Sequence, residues 1–210
     1  MKTLLRPFKN FLLASLWRLK YAFARESFPK NAGGKTYLNL GAGDTVSKEF
    51  VNIDAVPFRR THLIADIQNL YMFPDNSVDM VYGSHVAEHI PRGRLLGALR
   101  EWNRVLKPGG VLRLGVPNFD SLVEIYHRSG NEVGSIVNQL LGQDGEYDDH
   151  HTIWNEAFAK KMLTDAGFTG IRSWNPATAS HHEFRDKTNR VFTDEQGSVS
   201  ISLNIEAVKN

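Results

Sequence analysis

Cysteine is absent from the 210 residues. That excludes a disulfide framework and any thiolate metal site. Long apolar runs are missing too. A membrane span needs about 20 consecutive apolar residues. The longest stretch here, Phe11 to Trp17, covers seven positions and includes Ser15. No internal repeat and no low-complexity tract is present. Nor does the chain carry a large excess of one charge: its 25 basic and 23 acidic residues leave a net charge of +2. A nucleic-acid partner calls for a basic face on the folded domain, so none is expected. A composition 41% apolar over this length suits one domain with a small appendage.

What charge there is lies unevenly. Residues 1–30 hold Lys2, Arg6, Lys9, Arg18, Lys20, Arg25 and Lys30 against Glu26 alone, which leaves the remainder net acidic. Within the same segment Leu4, Leu5, Phe8, Phe11, Leu12, Leu16, Leu19 and Phe23 recur at helical spacing. The apolar run is at the short limit for a signal peptide, and Arg18 and Lys20 interrupt it. Residues 1–30 therefore read as a basic amphipathic helix. It lies on an anionic membrane surface, or packs on the domain or on a second copy. A cytoplasmic protein, peripheral on the inner membrane face, is the expectation.

From residue 31 the pattern becomes that of an α/β domain. Apolar strands are expected at 36–40, 51–54, 62–65, 78–82 and 111–116, with a helix from Leu95 to Leu106. Lys107-Pro108-Gly109-Gly110 reads as a turn into the next strand. Residues 119–151 form an insertion with short helices at 120–128 and 133–141, a candidate lid or substrate wall. A helix at 155–166 and strands at 170–174 and 198–208 follow. Short strands alternating with connections imply a doubly wound, mostly parallel sheet.

Chemistry-bearing residues gather at strand ends. Gly41-Ala42-Gly43 follows the first strand, and Asp54 and Asp66 end the second and third. Ligands bind at this edge of an open α/β sheet. A dinucleotide fold would place a third glycine where Val46 stands, and its acidic residue about 20 positions after the glycines. Asp54 comes too early, which also reduces the first helix to little more than a turn. The neutral readings are an ordinary strand turn for the glycines and turn caps for Asp54 and Asp66. Ser84-His85 and Glu88-His89 follow the fourth strand. His85 belongs either to a site or to the core, and His89 more simply braces its loop. Asp148-Asp149-His150-His151 and His181-His182-Glu183 are polar clusters. One histidine from each pair plus a carboxylate would make a metal site, but no ligand spacing supports one and no metal is expected.

Residues 35–210, most strongly 36–117, resemble the class I S-adenosylmethionine (SAM) dependent methyltransferases, in particular the small-molecule, methyltransferase type 11-like branch. The resemblance rests on Leu38-Asn39-Leu40-Gly41, Asn52-Ile53-Asp54, Phe73-Pro74-Asp75-Asn76-Ser77-Val78-Asp79 and Lys107-Pro108-Gly109-Gly110. It implies a Rossmann-like seven-stranded sheet, with SAM as cofactor and S-adenosylhomocysteine as product. It places the cofactor on Leu40, Gly41, Ala42 and Gly43, on Asp54 and Ala55, on Asp66 and Ile67, and on Ser84 and His85. Asp54 is implied as the ribose ligand and Asp66 as the partner of the adenine amino group. His85, His150 and His151 are the candidate catalytic bases, because a neutral imidazole suits removal of a hydroxyl proton. Arg185 pairs an anionic substrate group or cross-links the lid. The missing Asn-Pro-Pro-aromatic sequence and the missing cysteine argue against nucleic-acid methylation. Members of the resembling branch are associated with bacterial surface-polysaccharide and glycolipid assembly. That implies O-methylation of a sugar, sugar nucleotide or glycan-linked group. The alternatives are another small acceptor (an amine, a ring hydroxyl or a phosphate-like oxygen) or a non-catalytic partner subunit.

Overall fold

A computed structural model describes residues 28–31, 33–45, 47–58, 60–143, 148–182 and 186–210. The amphipathic segment expected at 1–30 falls almost wholly outside the described residues, as do Val46, Glu183 and Arg185. Seven strands form the main sheet: β1 (Tyr37–Leu40), β2 (Phe50–Asp54), β3 (Leu63–Ile64), β4 (Val78–Ser84), β5 (Leu106–Pro117), β6 (Phe168–Ser173) and β9 (Ser202–Lys209). Their order is β3-β2-β1-β4-β5-β9-β6. β9 runs antiparallel to both its neighbours, and the remaining pairs are parallel. This is the doubly wound, mostly parallel sheet expected.

Strand alternation divides the core. Leu38, Leu40, Val51, Ile53, Val81, Leu112 and Leu114 face one side and pack into the main cluster. Helix α1 (Leu95–Val105) covers them with Leu95, Ala98, Leu99, Trp102 and Val105, and helix α4 (Glu156–Asp165) with Ala159 and Leu163. These spacings place each set on one helical face. Asn155 caps α4, its side chain accepting from Phe158 N at 3.0 Å.

The opposite face is built differently. Tyr37, Phe50, Met80 and Tyr82 point there, and the chain after β6 covers them, beginning with Trp174. Arg113 projects into the same layer. It donates to Glu206 at 3.0 and 3.1 Å and to Ser180 O at 2.8 Å, and it stacks 4.9 Å from the Trp174 ring. Tyr82 donates to Asp186. Burial and the Asp186 carboxylate push the Tyr82 hydroxyl far above its usual range, so it stays a donor.

No helix connects β1 to β2 among the described residues, as their short spacing implies. Two buried asparagines hold the loop instead. Asn39 Nδ2 donates to Thr45 O at 3.2 Å and to Asn52 Oδ1 at 3.1 Å, while Asn52 Nδ2 reaches Ser47 O and Arg60 O. These amides supply the order that a packed helix would otherwise give.

Two expectations need correction. Lys107-Pro108-Gly109-Gly110 lies within β5 as a bulge, because Val78 pairs with Leu106 while Met80 pairs with Val111. Lys107 Nζ grips Asp79 there at 2.8 Å. The last strand, read as 198–208, is two strands. β8 (Gly197–Ser200) leaves at Ile201 and pairs with β7 (Val191–Asp194), which the sequence reading did not find. The break is fixed by Ile201 N donating to Arg190 O and Asn118 N donating to Ile201 O. The insertion after β5 holds α2 (Phe119–Arg128) and α3 (Val137–Leu141). Its Leu122, Ile125 and Ile136 pack with Val199 of β8 in a satellite cluster. No helix among the described residues is long and apolar enough to cross a membrane.

Candidate active site

The glycine turn leaves β1 with Gly41 at φ +60° and Gly43 at φ +50°, a region costly for other L-residues. A Cβ at Gly41 would stand 2.3 Å from Val86 Cγ2, so the turn also needs glycine for room. Among the described residues, nothing beyond its chain neighbours lies within 4 Å of a Cβ placed at Gly43. Asp54, at the end of β2, accepts from Gly43 N at 2.8 Å through one oxygen and from Val56 N at 2.9 Å through the other. The carboxylate thus caps its own turn and braces the glycine turn, with lone pairs left for two hydroxyls. Ala55 beside it is exposed.

Asp66 is exposed and caps its turn, one oxygen accepting from Gln68 N at 2.9 Å and from Gln68 Nε2 at 3.2 Å. Ile67 is half-buried and anchored by Trp102 Nε1, which donates to its carbonyl at 2.8 Å. Leu40 and Ala42 are buried, so Leu40 offers a ligand only its backbone. Ser84 Oγ is buried with no hydrogen-bond partner. Open space at the glycine turn, a braced carboxylate and an unsatisfied hydroxyl fit a ribose-bearing ligand along the ends of β1, β2 and β4.

Beside this edge lies a cavity of about 300 Å³. His85 and Pro117 form its floor, and Asn138, Gln139 and Gln143 supply amides from the insertion. Asp148, His150, Lys187 and Arg190 add charge and imidazole, and Ile201 a small apolar contact. The sequence reading did not single out Gln139, Lys187 or Arg190. They come from two distant segments, Gln139 from the insertion and Lys187 with Arg190 from the turn before β7, and only the tertiary fold gathers them.

His85 has φ +52°, a strained conformation for a non-glycine residue. Its backbone N donates to Gly115 O at 2.7 Å. Ser202 Oγ donates to Lys187 O at 2.9 Å, so at 2.6 Å it accepts from His85 Nε2. His85 Nδ1 lies 3.3 Å from Glu88 Oε1. His150 donates from Nδ1 to Gln139 O at 3.0 Å, and its Nε2 is 4.0 Å from the same Glu88 oxygen. Burial holds the His150 imidazole below its ordinary range, although Glu88 pulls the other way. His151 is exposed and does not line the cavity; its backbone N donates to Glu88 O at 2.8 Å. His181 and His182 sit on the far face, beside Tyr37 and Glu49 and beside Tyr82 and Trp174 respectively. The cross-pair metal arrangement weighed from the sequence is not formed.

Residues 42–114 match the family described as a methyltransferase domain. Over that stretch the chain carries a methyltransferase domain. No curated protein matches it by sequence. Among solved structures, a SAM-dependent methyltransferase from Thermotoga maritima has a TM-score of 0.54 at 15% identity, covering 98% of this chain and 96% of that one. One from Archaeoglobus fulgidus has a TM-score of 0.53 at 18% identity, with coverage of 95% and 99%. The 1,6-didemethyltoxoflavin-N1-methyltransferase of Burkholderia thailandensis, solved with its substrate and S-adenosylhomocysteine, has a TM-score of 0.53 at 13% identity, with coverage of 92% and 78%. These likenesses establish the fold.

Proposed function

We propose that this methyltransferase transfers the methyl group of SAM to an oxygen of a sugar, sugar nucleotide or glycan-linked acceptor. The cavity beside the glycine turn carries the reading: its wall is amides, imidazoles and charge, with little apolar surface. Such a wall hydrogen-bonds a polyhydroxylated ligand and gives a flat apolar ring little to pack on. Lys187 and Arg190 suit an acceptor bearing phosphate or carboxylate. The resemblance of the sequence to enzymes of surface-polysaccharide assembly supports the same class. A basic segment at residues 1–30 would hold such an enzyme near lipid-linked acceptors on an anionic membrane face.

In this reading Gly41 and Gly43 admit the cofactor, Asp54 takes the ribose hydroxyls, and Asp66 with Ile67 takes the adenine. When bound, SAM supplies an electrophilic sulfonium methyl group. The acceptor hydroxyl enters the cavity against His85 and His150, with Glu88 behind them, and loses its proton as the oxygen attacks. Alignment of the two reactants contributes most of the remaining acceleration.

Incubation with methyl-labelled SAM and two acceptor panels, sugar nucleotides and anionic glycans in one and amines in the other, tests the reading. Label is expected in the oxygen acceptors. Transfer confined to amines would displace it. In Lys187→Ala and Arg190→Ala proteins the KM for an anionic acceptor should rise about tenfold or more, since hydrogen bonds to charged groups contribute about 1.5–3 kcal/mol each. KM for a neutral sugar should not change.

A further inference from the structure

Glu88 lies in the 3₁₀ turn Ala87–His89 and is fully buried. Neither of its carboxylate oxygens has a hydrogen-bond partner. An ionised carboxylate left in this state is costly.

The surroundings make the arrangement more unusual. Three imidazoles face this carboxylate, and each has one ring nitrogen committed elsewhere. His85 Nε2 donates to Ser202 Oγ at 2.6 Å. His89 Nδ1 donates to Asp149 O at 3.1 Å. His150 Nδ1 donates to Gln139 O at 3.0 Å. In the neutral rings this leaves His85 Nδ1, His89 Nε2 and His150 Nε2 as lone-pair atoms. None can donate to Glu88 without taking a second proton. The His89 and His150 rings stand 4.8 Å apart, and one ligand atom each from Glu88, His89 and His150 lies within 4.8 Å of the others. Converging lone pairs beside a buried carboxylate repel one another unless a proton or a metal cation sits among them. Tying the second ring nitrogen to a protein carbonyl or hydroxyl is also how metal-binding histidines are oriented.

We propose that Glu88, His89 and His150, with His85 alongside, bind one divalent transition-metal cation of the zinc class. Two imidazoles and a carboxylate form a donor set that leaves a coordination position open. Donors at zinc distance stand about 3.4 Å apart in a tetrahedral site, so these side chains draw inward on binding. His85 and His150 also line the cavity, so the open position faces the acceptor.

The site stands on its own geometry, while its part in transfer rests on the O-methylation reading. There the acceptor hydroxyl coordinates the ion, which lowers its pKa. The proton leaves to water at the cavity mouth, and the oxygen forms a bond to the methyl carbon. The carbon–sulfur bond breaks with its electron pair on sulfur, giving S-adenosylhomocysteine.

The test uses the full chain, stripped with chelator and titrated with Zn²⁺ by calorimetry. Co²⁺ serves as a visible-absorption probe, and S-adenosylhomocysteine binding is measured in parallel. One zinc per chain is expected, with a Co²⁺ spectrum of nitrogen and oxygen ligation. Affinity should fall more than tenfold in Glu88→Gln and His150→Ala, each with S-adenosylhomocysteine binding retained as proof of folding. A wild type that binds S-adenosylhomocysteine but neither metal overturns the proposal. So does unchanged metal affinity in both variants. Metal binding lost in the variants, in a protein with no affinity for S-adenosylhomocysteine, would keep the metal site and remove the methyltransferase reading.

Discussion

Gly41 is held from two sides. Its φ of +60° disfavours any side chain, and Val86 fills the space a Cβ would take. Left-handed backbone costs other residues about 1–2 kcal/mol, and overpacking typically adds about 1–3 kcal/mol. Gly41→Ala should therefore lower urea-unfolding stability by about 2–5 kcal/mol. Adding Val86→Ala should relieve the crowding but leave the backbone strain, so the pair recovers only in part. Full recovery would show that φ does not matter here. Gly41, Asp54 and Asp66 were legible in the sequence because each belongs to one strand and the turn after it. Glu88 was not. Its role depends on His150 approaching from a distant loop and on burial, which an Ala-Glu-His triplet does not reveal. Lys187 and Arg190 escaped for a similar reason: nothing local marks them as cavity-facing.

At the scale of elements, strands with a clear apolar run and α1 with its one-sided apolar face were read close to their observed bounds. The errors came where one pattern serves two structures. Alternation from Ser198 to Val208 continues through the bend at Ile201, because Val199 enters the satellite cluster while Leu203, Ile205 and Ala207 enter the main core. Periodicity has no signal for a change of partner. The Lys-Pro-Gly-Gly sequence does turn, but it turns as a bulge within a paired strand. The two asparagines that replace the first helix were visible only as motif letters. One consequence concerns the β5–β9 pair. Glu206 accepts from Arg113 and also from Arg172, at 2.6 and 2.8 Å. Both Arg113 and Glu206 are buried. Glu206→Ala leaves the Arg113 charge buried beside Trp174 and should cost about 3–5 kcal/mol. An Arg113→Met, Glu206→Leu double variant should lose much less. Chemical denaturation of the three proteins checks both statements.

Across the whole molecule, histidines tie stability to pH. Desolvation holds the buried His182, and also His62 although that residue is exposed, below the ordinary imidazole range. For His182 the Asp186 carboxylate opposes the shift, while Arg113 adds to it. His62 Nδ1 also accepts from Asn52 N at 2.9 Å, a bond that protonation there would break. Both groups bind protons more readily in the unfolded chain. Their contribution is therefore fully present above the unfolded value of about 6.5 and is lost as pH falls through it toward the folded values. Unfolding midpoints should drop between about pH 7 and pH 5. The drop should be shallower in a His62→Gln, His182→Gln protein, and an equal slope would assign the acid sensitivity to other groups.

We propose that the ends of β1 and β2 hold the adenosyl cofactor. Calorimetric titration of S-adenosylhomocysteine into the wild type and into Asp54→Ala tests it most directly. Loss of hydrogen bonds to a charged group is worth about 1.5–3 kcal/mol each. The account predicts binding by the wild type and affinity weaker by more than tenfold in a folded Asp54→Ala protein. A folded wild type that does not bind, or a variant that binds as tightly as the wild type, would contradict it.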